Sequence, residues 1–276
     1  MAVNLSMVNR PTGVRCGYFA TLTHLPRWTP VILICRTFPN SLGRNNMTTF
    51  VLIHGAYQGG WIWKLVSVRL RDDGHLVYAP TLDGCGERAA QLRPGITTET
   101  QAEEVAGFLW SEDIRDVVLV GASAGGMVMA KTAELARERI SRLVFSDALA
   151  LMHGEKIRDI VPGPGTIETD LATGPTREER LSRFLLDLDG GLAEWAANRS
   201  GVHPIATFNQ PVVLENFWDQ DWDASVIYCR QADRPGEVHQ RRAAETLGAS
   251  WHELETGHFP MLSVPDALTK IITDGS

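Results

Sequence analysis

The chain of 276 residues holds only four cysteines, Cys16, Cys35, Cys85 and Cys229, scattered along its length. That is neither the density of a disulfide-stapled domain nor a spacing that gathers thiolates around a metal, so reduced thiols in a cytosol-like compartment are expected. Long apolar runs are missing too. The longest near the start is Val31-Ile32-Leu33-Ile34-Cys35, far short of the roughly 18 residues that span a bilayer. Positive charge is in short supply: 26 Lys+Arg stand against 33 Asp+Glu, for a formal charge of −7. A nucleic-acid partner, whose phosphates require a basic face, is excluded on that ground. No internal repeat is visible. What is present is ordinary globular material, 44% hydrophobic and 21% charged, and long enough to bury a sizeable core.

The charge is unevenly spread. Residues 1–46 contain Arg10, Arg15, Arg27, Arg36 and Arg44 but no Lys, Asp or Glu, which leaves 21 basic and 33 acidic side chains for the rest, a balance of −12. This leader fails as a secretory signal, because its apolar stretch is short and late. An Arg-rich, acid-free composition fits an organelle transit peptide, and a packed arm is a further option. The favoured reading is an appendage outside the fold, which leaves a cytoplasmic location for the whole.

From Met47 the pattern changes. Thr49–Ile53 reads as a strand ending in His54-Gly55, 61–71 as a helix and His75–Ala79 as a second strand. Ala102, Val105, Phe108 and Leu109 share one helical face. Asp116–Gly121 is an almost continuous apolar run, as in a strand buried on both faces. A helix over 124–138 and a strand at Arg142–Ser146 follow. Such alternation implies a parallel sheet covered by helices. The rhythm breaks over 151–222, rich in Gly, Pro, acidic residues and aromatics, and resumes with strands at Ser225–Cys229 and Ser250–Leu254 and helices at Gly236–Leu247 and Pro265–Ile272. One α/β domain is therefore expected over 47–150 and 223–276, with 151–222 inserted as a mainly helical cap.

Gly121-Ala122-Ser123-Ala124-Gly125 stands where the buried strand meets the next helix, the context that gives G-x-S-x-G its meaning. The tight turn lifts the hydroxyl of Ser123 above the sheet edge, at a helix N-terminus where N–H groups favour a developing anion. A serine nucleophile needs a base held by an acid, in the chain order Ser, Asp or Glu, His. His258 follows the Ser250–Leu254 strand and is the expected base. Asp233, in the loop after Ser225–Cys229, is the expected acid. Its competitor is Asp147, at the end of Arg142–Ser146, for which a structural role is expected. Ala56 and Ala124 are the expected backbone donors of an oxyanion hole. His54 is expected to hydrogen-bond locally and shape its loop, and His252 and Glu253 to be sheet residues.

Three stretches carry a resemblance: Phe50-Val51-Leu52-Ile53-His54-Gly55-Ala56 with Gly59-Gly60-Trp61-Ile62-Trp63, Ala79–Arg88, and Gly257-His258-Phe259-Pro260 through Pro265. They resemble the small α/β-hydrolases related to plant methyl esterases and hydroxynitrile lyases, and their bacterial relatives, over about Met47 to Ile272. The resemblance implies the α/β-hydrolase fold, a Ser123–Asp233–His258 triad and an Ala56/Ala124 oxyanion hole. Relatives usually carry His before the nucleophile and Leu, Phe or Tyr after it, where this chain has Ala122 and Ala124, so its pocket floor differs. Hydroxynitrile lyases carry Lys after the catalytic His and Thr after the first-strand His. Phe259 and Gly55 here favour hydrolysis.

The expected reaction is cleavage of an ester-type bond (carboxylester, lactone, activated amide or carbamate) through an acyl-enzyme, with no metal or organic cofactor. Tyr57, Trp61, Trp195, Trp218, Trp222 and Phe259 are the expected lining for a small hydrophobic substrate. Cys85 is expected near the mouth of the site as a structural thiol. A lyase on the same fold and a non-catalytic small-molecule receptor are the alternatives, and a homodimer is left open. No membrane partner is expected.

Overall fold

The computed structural model describes residues 47–162 and 165–274; residues 1–46, on which the leader readings fall, lie outside them. Six strands build the main sheet: β1 (Thr49–Ile53), β2 (Leu76–Tyr78), β3 (Val117–Ala122), β4 (Ile140–Ser146), β8 (Ala224–Cys229) and β9 (Ser250–Leu254). All their pairings are parallel, in the order β2-β1-β3-β4-β8-β9. The chain leaves β1 toward β2 on one side and returns as β3 on the other. That reversal opens a crevice at the carboxyl ends of β1 and β3, where ligands of open α/β sheets bind.

Alternate side chains of each strand feed two cores. Phe50, Leu52, Val118 and Val120 pack with Val66 and Leu70 of α1 (Lys64–Asp72), and with Leu268 and Ile272 of the closing helix Pro265–Thr273. Val51, Ile53, Val117 and Leu119 pack on the other face with Val105 and Leu109 of α2 (Thr98–Ser111) and Met127 and Ala130 of α3 (Gly125–Leu135). Each fully buried Val, Leu or Ile contributes about 1.5–3 kcal/mol, and both faces are covered, so these strands read as apolar runs rather than alternations. Thr97 starts α2 with a capping box: its hydroxyl accepts Thr100 N–H at 3.2 Å, and Thr100 Oγ1 accepts Thr97 N–H at 2.9 Å. Among the described residues no helix is long and apolar enough to cross a membrane.

The chain between β4 and β8 is inserted into this sheet. It carries helical turns over Arg177–Phe184 and α4 (Gly190–Ala197), whose first turn is capped by Asp189 accepting Leu192 N–H at 2.9 Å. It also carries an antiparallel sheet of β5 (Ile167–Glu168), β6 (Ala172–Gly174) and β7 (His203–Pro204), which a mainly helical reading does not include. Strands of two or three residues are too short for an alternation to register in sequence. Two longer helices follow, α5 (Glu237–Leu247) and α6, the closing helix.

Candidate active site

Ser123 is the first residue after β3 and has φ 51°, a left-handed backbone rare outside glycine. Such strain persists only where the surroundings enforce it, and it clusters at functional sites. The enforcement comes from close packing. A Cβ on Gly125 would meet His54 O at 2.5 Å and Ile53 O at 2.7 Å, and one on Gly55 would meet Ser123 Cβ at 2.7 Å and Oγ at 3.3 Å. The loop after β1 thus lies directly against the serine. α3 starts at Gly125, so its amino end points at the same place.

His258 stands four residues beyond β9, and its Nδ1 lies 2.6 Å from Asp147 Oδ2. Asp147 follows β4 immediately, is fully buried and also has a left-handed backbone, φ 44°. Its other oxygen, Oδ1, accepts Cys229 N–H at 3.4 Å and Gln240 Nε2–H at 3.3 Å. A carboxylate so placed fixes the imidazole with the proton on Nδ1, leaving Nε2 basic. The loops after β3 and β4 are themselves joined, since Leu149 N–H donates to Ser123 O at 2.9 Å.

The structure does not bring the expected acid, Asp233, to His258. Asp233 is exposed and makes no hydrogen bond or ion pair among the described residues, and His258 pairs with Asp147 instead. The reason is register. Ser146 of β4 pairs with Ile227 of β8, so Asp147 emerges beside the last turn of the sheet, under the His258 loop. Asp233 is carried four residues beyond Cys229 and turns outward to solvent. Ser123 and His258 stand at the same sheet edge, as expected from sequence, without a direct hydrogen bond between them among the described residues. Catalytic contacts of this kind are often long before substrate binds.

Neither Ala56 N–H nor Ala124 N–H has an acceptor among the described residues, and Ala124 is the residue just before α3. The loop carrying Ala56 is tightly specified. His54 Nδ1 lies 2.7 Å from Gly55 O, so it carries the proton, and Nε2 accepts Leu82 N–H at 3.0 Å. Complete burial lowers the His54 pKa to about 4, which keeps that acceptor neutral. Gly55 N–H donates to the buried Gln58 side chain at 3.2 Å. Tyr57, with φ 68°, turns its carbonyl outward to accept Gly201 N–H of the insertion at 2.8 Å. Burial pushes its phenol up to about 12.

The aromatic residues expected in a pocket separate into groups. Tyr57 stacks on Phe208 with centroids 5.8 Å apart and meets His203 edge-on, forming one wall beside the Ala56 loop. Phe259 meets His258 edge-on at 5.2 Å. Trp61 and Trp195 pair with each other at 5.2 Å. Trp222 departs from expectation: it stacks on buried Phe217, donates Nε1–H to Phe217 O at 2.9 Å, and lies two residues before β8, at the amino end of the sheet away from Ser123. It is a core residue. Trp218 donates to Leu151 O at 3.2 Å and lines an open groove of about 510 Å³ with Met152, His153, Leu214, Glu215 and Asp219, which contains none of Ser123, Asp147 and His258.

Sequence reasoning did not single out His203. Its Nδ1 lies 3.2 Å from Cys85 Sγ, both groups buried, joining the insertion to the loop after β2. Burial pushes the Cys85 thiol up to about 12 and His203 down to about 3, so the pair is neutral rather than a reactive ion pair. An isolated His between Val and Pro carries no sequence signal for such a contact.

The model of the alpha/beta hydrolase family matches residues 50–271. A carbendazim hydrolyzing esterase of a Nocardioides species (strain SG-4G) is 40% identical over 179 residues, 61% of this chain and 74% of that one. Methylesterase 7 of Arabidopsis thaliana is 31% identical over 207 residues, 71% of this chain and 77% of that one. Among solved structures, an extracellular alpha/beta-hydrolase from a Paenibacillus species superposes with a TM-score of 0.71 at 22% identity, covering 82% of this chain and 98% of that one. That last likeness speaks to the fold alone.

Proposed function

This chain belongs to the alpha/beta hydrolase family and is an esterase-type enzyme, and from that premise we propose that it cleaves an ester-type bond of a small hydrophobic substrate through an acyl-enzyme on Ser123. The observation that carries the reading is the buried Asp147 bonded at 2.6 Å to His258, at the same sheet edge as the strained Ser123 turn.

Ser123 Oγ attacks the substrate carbonyl carbon while His258 Nε2 takes the hydroxyl proton. Asp147, bonded to Nδ1–H, stabilises the imidazolium that forms. The oxyanion of the tetrahedral intermediate accepts from Ala56 N–H and Ala124 N–H, where losing one donor costs about 2.7–4 kcal/mol in other hydrolases. His258 then protonates the departing alkoxide or amine, leaving an acyl group on Ser123. Water, deprotonated by the same imidazole, attacks this ester, and collapse of the second intermediate returns the serine. The insertion acts as a cap, its His203 and Phe208 closing with Tyr57 over the Ala56 loop.

An apolar, aromatic wall suits a flat or bulky acyl or leaving group. With a relative named for carbendazim hydrolysis, carbamates of heteroaromatic amines belong in the substrate range beside carboxylesters. The test is a panel of p-nitrophenyl esters, a lactone, carbendazim and mandelonitrile, run with the parent and with Ser123→Ala. Ester or carbamate turnover lost in Ser123→Ala is the expected result. Cyanide release from mandelonitrile without ester turnover would make the enzyme a lyase, and tight binding with no turnover would make it a receptor.

A further inference from the structure

The insertion also reaches the other side of the site, at the loop that carries His258, and the mechanism above gives that contact no part. Asp187 lies between the helical turns ending at Phe184 and the start of α4. Its Oδ2 accepts Gly257 N–H at 3.1 Å, and the Thr256 hydroxyl stands 3.4 Å from the same oxygen. Gly257 is one peptide unit before His258. A Cβ added to Gly257 would lie 2.6 Å from Asp187 Oδ2 and 2.7 Å from Cγ, so the carboxylate is packed flat against that glycine. The backbone of Gly257 is not left-handed, and therefore the neighbouring carboxylate, not the turn, is what requires glycine there.

We propose that Asp187 is a positioning residue: it fixes the Thr256–Gly257 peptide ahead of His258 so that the imidazole faces Ser123 while Nδ1 stays on Asp147. The proposal rests on the reading of His258 as the base. The loop after β9 has few other anchors. Gln231 N–H donates to Thr256 O at 3.0 Å, which holds the carbonyl end of the same peptide plane, and Thr256 Oγ1 lies 2.5 Å from Ser263 Oγ. Asp187 thus holds the N–H end of that peptide, and it comes from the insertion rather than from the sheet. Because Asp187 is an exposed residue, its charge is screened. The loop uses its hydrogen bond, and an amide oxygen serves equally well.

The experiment is steady-state ester hydrolysis by full-length variants, with thermal melts alongside. Asp187→Ala is expected to lower kcat about tenfold, a fraction of the hundredfold that a misplaced catalytic group can cost, with KM within about twofold. Asp187→Asn is expected to restore kcat to within about twofold of the parent. Gly257→Ala displaces the carboxylate and is expected to lose as much as Asp187→Ala. The Gly257→Ala/Asp187→Ala double variant loses no more than Asp187→Ala alone, since the clash has gone. Asp189→Ala removes a helix cap in the same segment without touching the loop, and is expected to lower the melting temperature at unchanged kcat. Asp187→Ala with parental kcat overturns the proposal, as do equal losses in Asp187→Ala and Asp187→Asn, or additive losses in the double variant. His258→Ala separates the two claims: retained turnover there removes the premise, whereas a dead His258→Ala beside a fully active Asp187→Ala removes the clamp alone.

Discussion

Changing Asp147 to Asn preserves shape and reverses the chemistry, and the structure says in which direction. Oδ1 of Asp147 receives two donors, Cys229 N–H and Gln240 Nε2–H, and Oδ2 receives only His258 Nδ1–H. An asparagine with no exposed surface has to satisfy the same three partners. Its carbonyl oxygen takes the two-donor position, so its NH2 faces His258 Nδ1. That nitrogen then has to accept, which moves the imidazole proton to Nε2 and removes the base from Ser123. Tautomer reversal of this kind costs on the order of 10⁴ in kcat for a triad aspartate, or about 5 kcal/mol of transition-state stabilisation. Asp233→Asn, at an exposed side chain without partners among the described residues, is expected to stay within about twofold. Initial-rate hydrolysis of a p-nitrophenyl ester by both variants reads the difference, with circular dichroism to confirm that each is folded. A Asp147→Asn variant keeping a tenth of parental kcat, or an Asp233→Asn variant losing 10³-fold, would refute the reasoning.

Gly55→Ala places a methyl group 2.7 Å from Ser123 Cβ, and kcat/KM is expected to fall at least about a hundredfold; parental kinetics would contradict the close approach. Acid lability follows from three buried histidines: burial lowers His54 to about 4, His239 to about 4 and His203 to about 3. The unfolded chain binds protons from about pH 6.5, so the neutral native rings contribute full stability above that pH and lose it as pH falls toward 4. Each ring forfeits about 2 kcal/mol by pH 5, and the melting temperature is expected to drop by more than about 10 °C between pH 7.5 and pH 5; a flat profile would be inconsistent with buried, neutral rings. Cys85, pushed up to about 12, and Cys229, also raised by burial, are expected to resist iodoacetamide in the folded protein at pH 8 and to react after denaturation, as peptide mass spectrometry would report.

Legibility in the sequence followed periodicity and local motif. The apolar runs of β1, β3, β4 and β8 are long enough to announce a doubly covered parallel sheet. Gly121 to Gly125 announces a tight turn because only residues without bulk pass under the loop after β1. His258 is legible as the residue that follows the last strand; its buried carboxylate partner is not. Asp147 and Asp233 both follow strands at the same edge, and chain order admits either; only the register of β4 on β8, with Ser146 opposite Ile227, lifts Asp147 to the imidazole and leaves Asp233 in solvent. Asp147 lacked the glycine-flanked context of the serine, although both share the left-handed backbone. The short strands of the insertion offer too few residues for an alternation, and the Asp187 and His203 contacts that fasten it to the core join residues 70 or more positions apart. Composition is blind to those. Trp222 shows the converse error, an aromatic whose density in sequence suggested a pocket and whose side chain belongs to the core beneath β8.

The central claim, a Ser123 acyl-enzyme generated by the His258–Asp147 pair, is tested most directly by trapping the nucleophile. The protein is incubated with a fluorophosphonate, residual esterase activity is followed, and the modified peptide is sequenced by mass spectrometry. The account requires stoichiometric inactivation with the phosphonyl mass on Ser123, no labelling of Ser123→Ala, and slowed labelling in Asp147→Asn but not in Asp233→Asn. Stoichiometric labelling of another residue, or esterase activity that persists in Ser123→Ala, would contradict it.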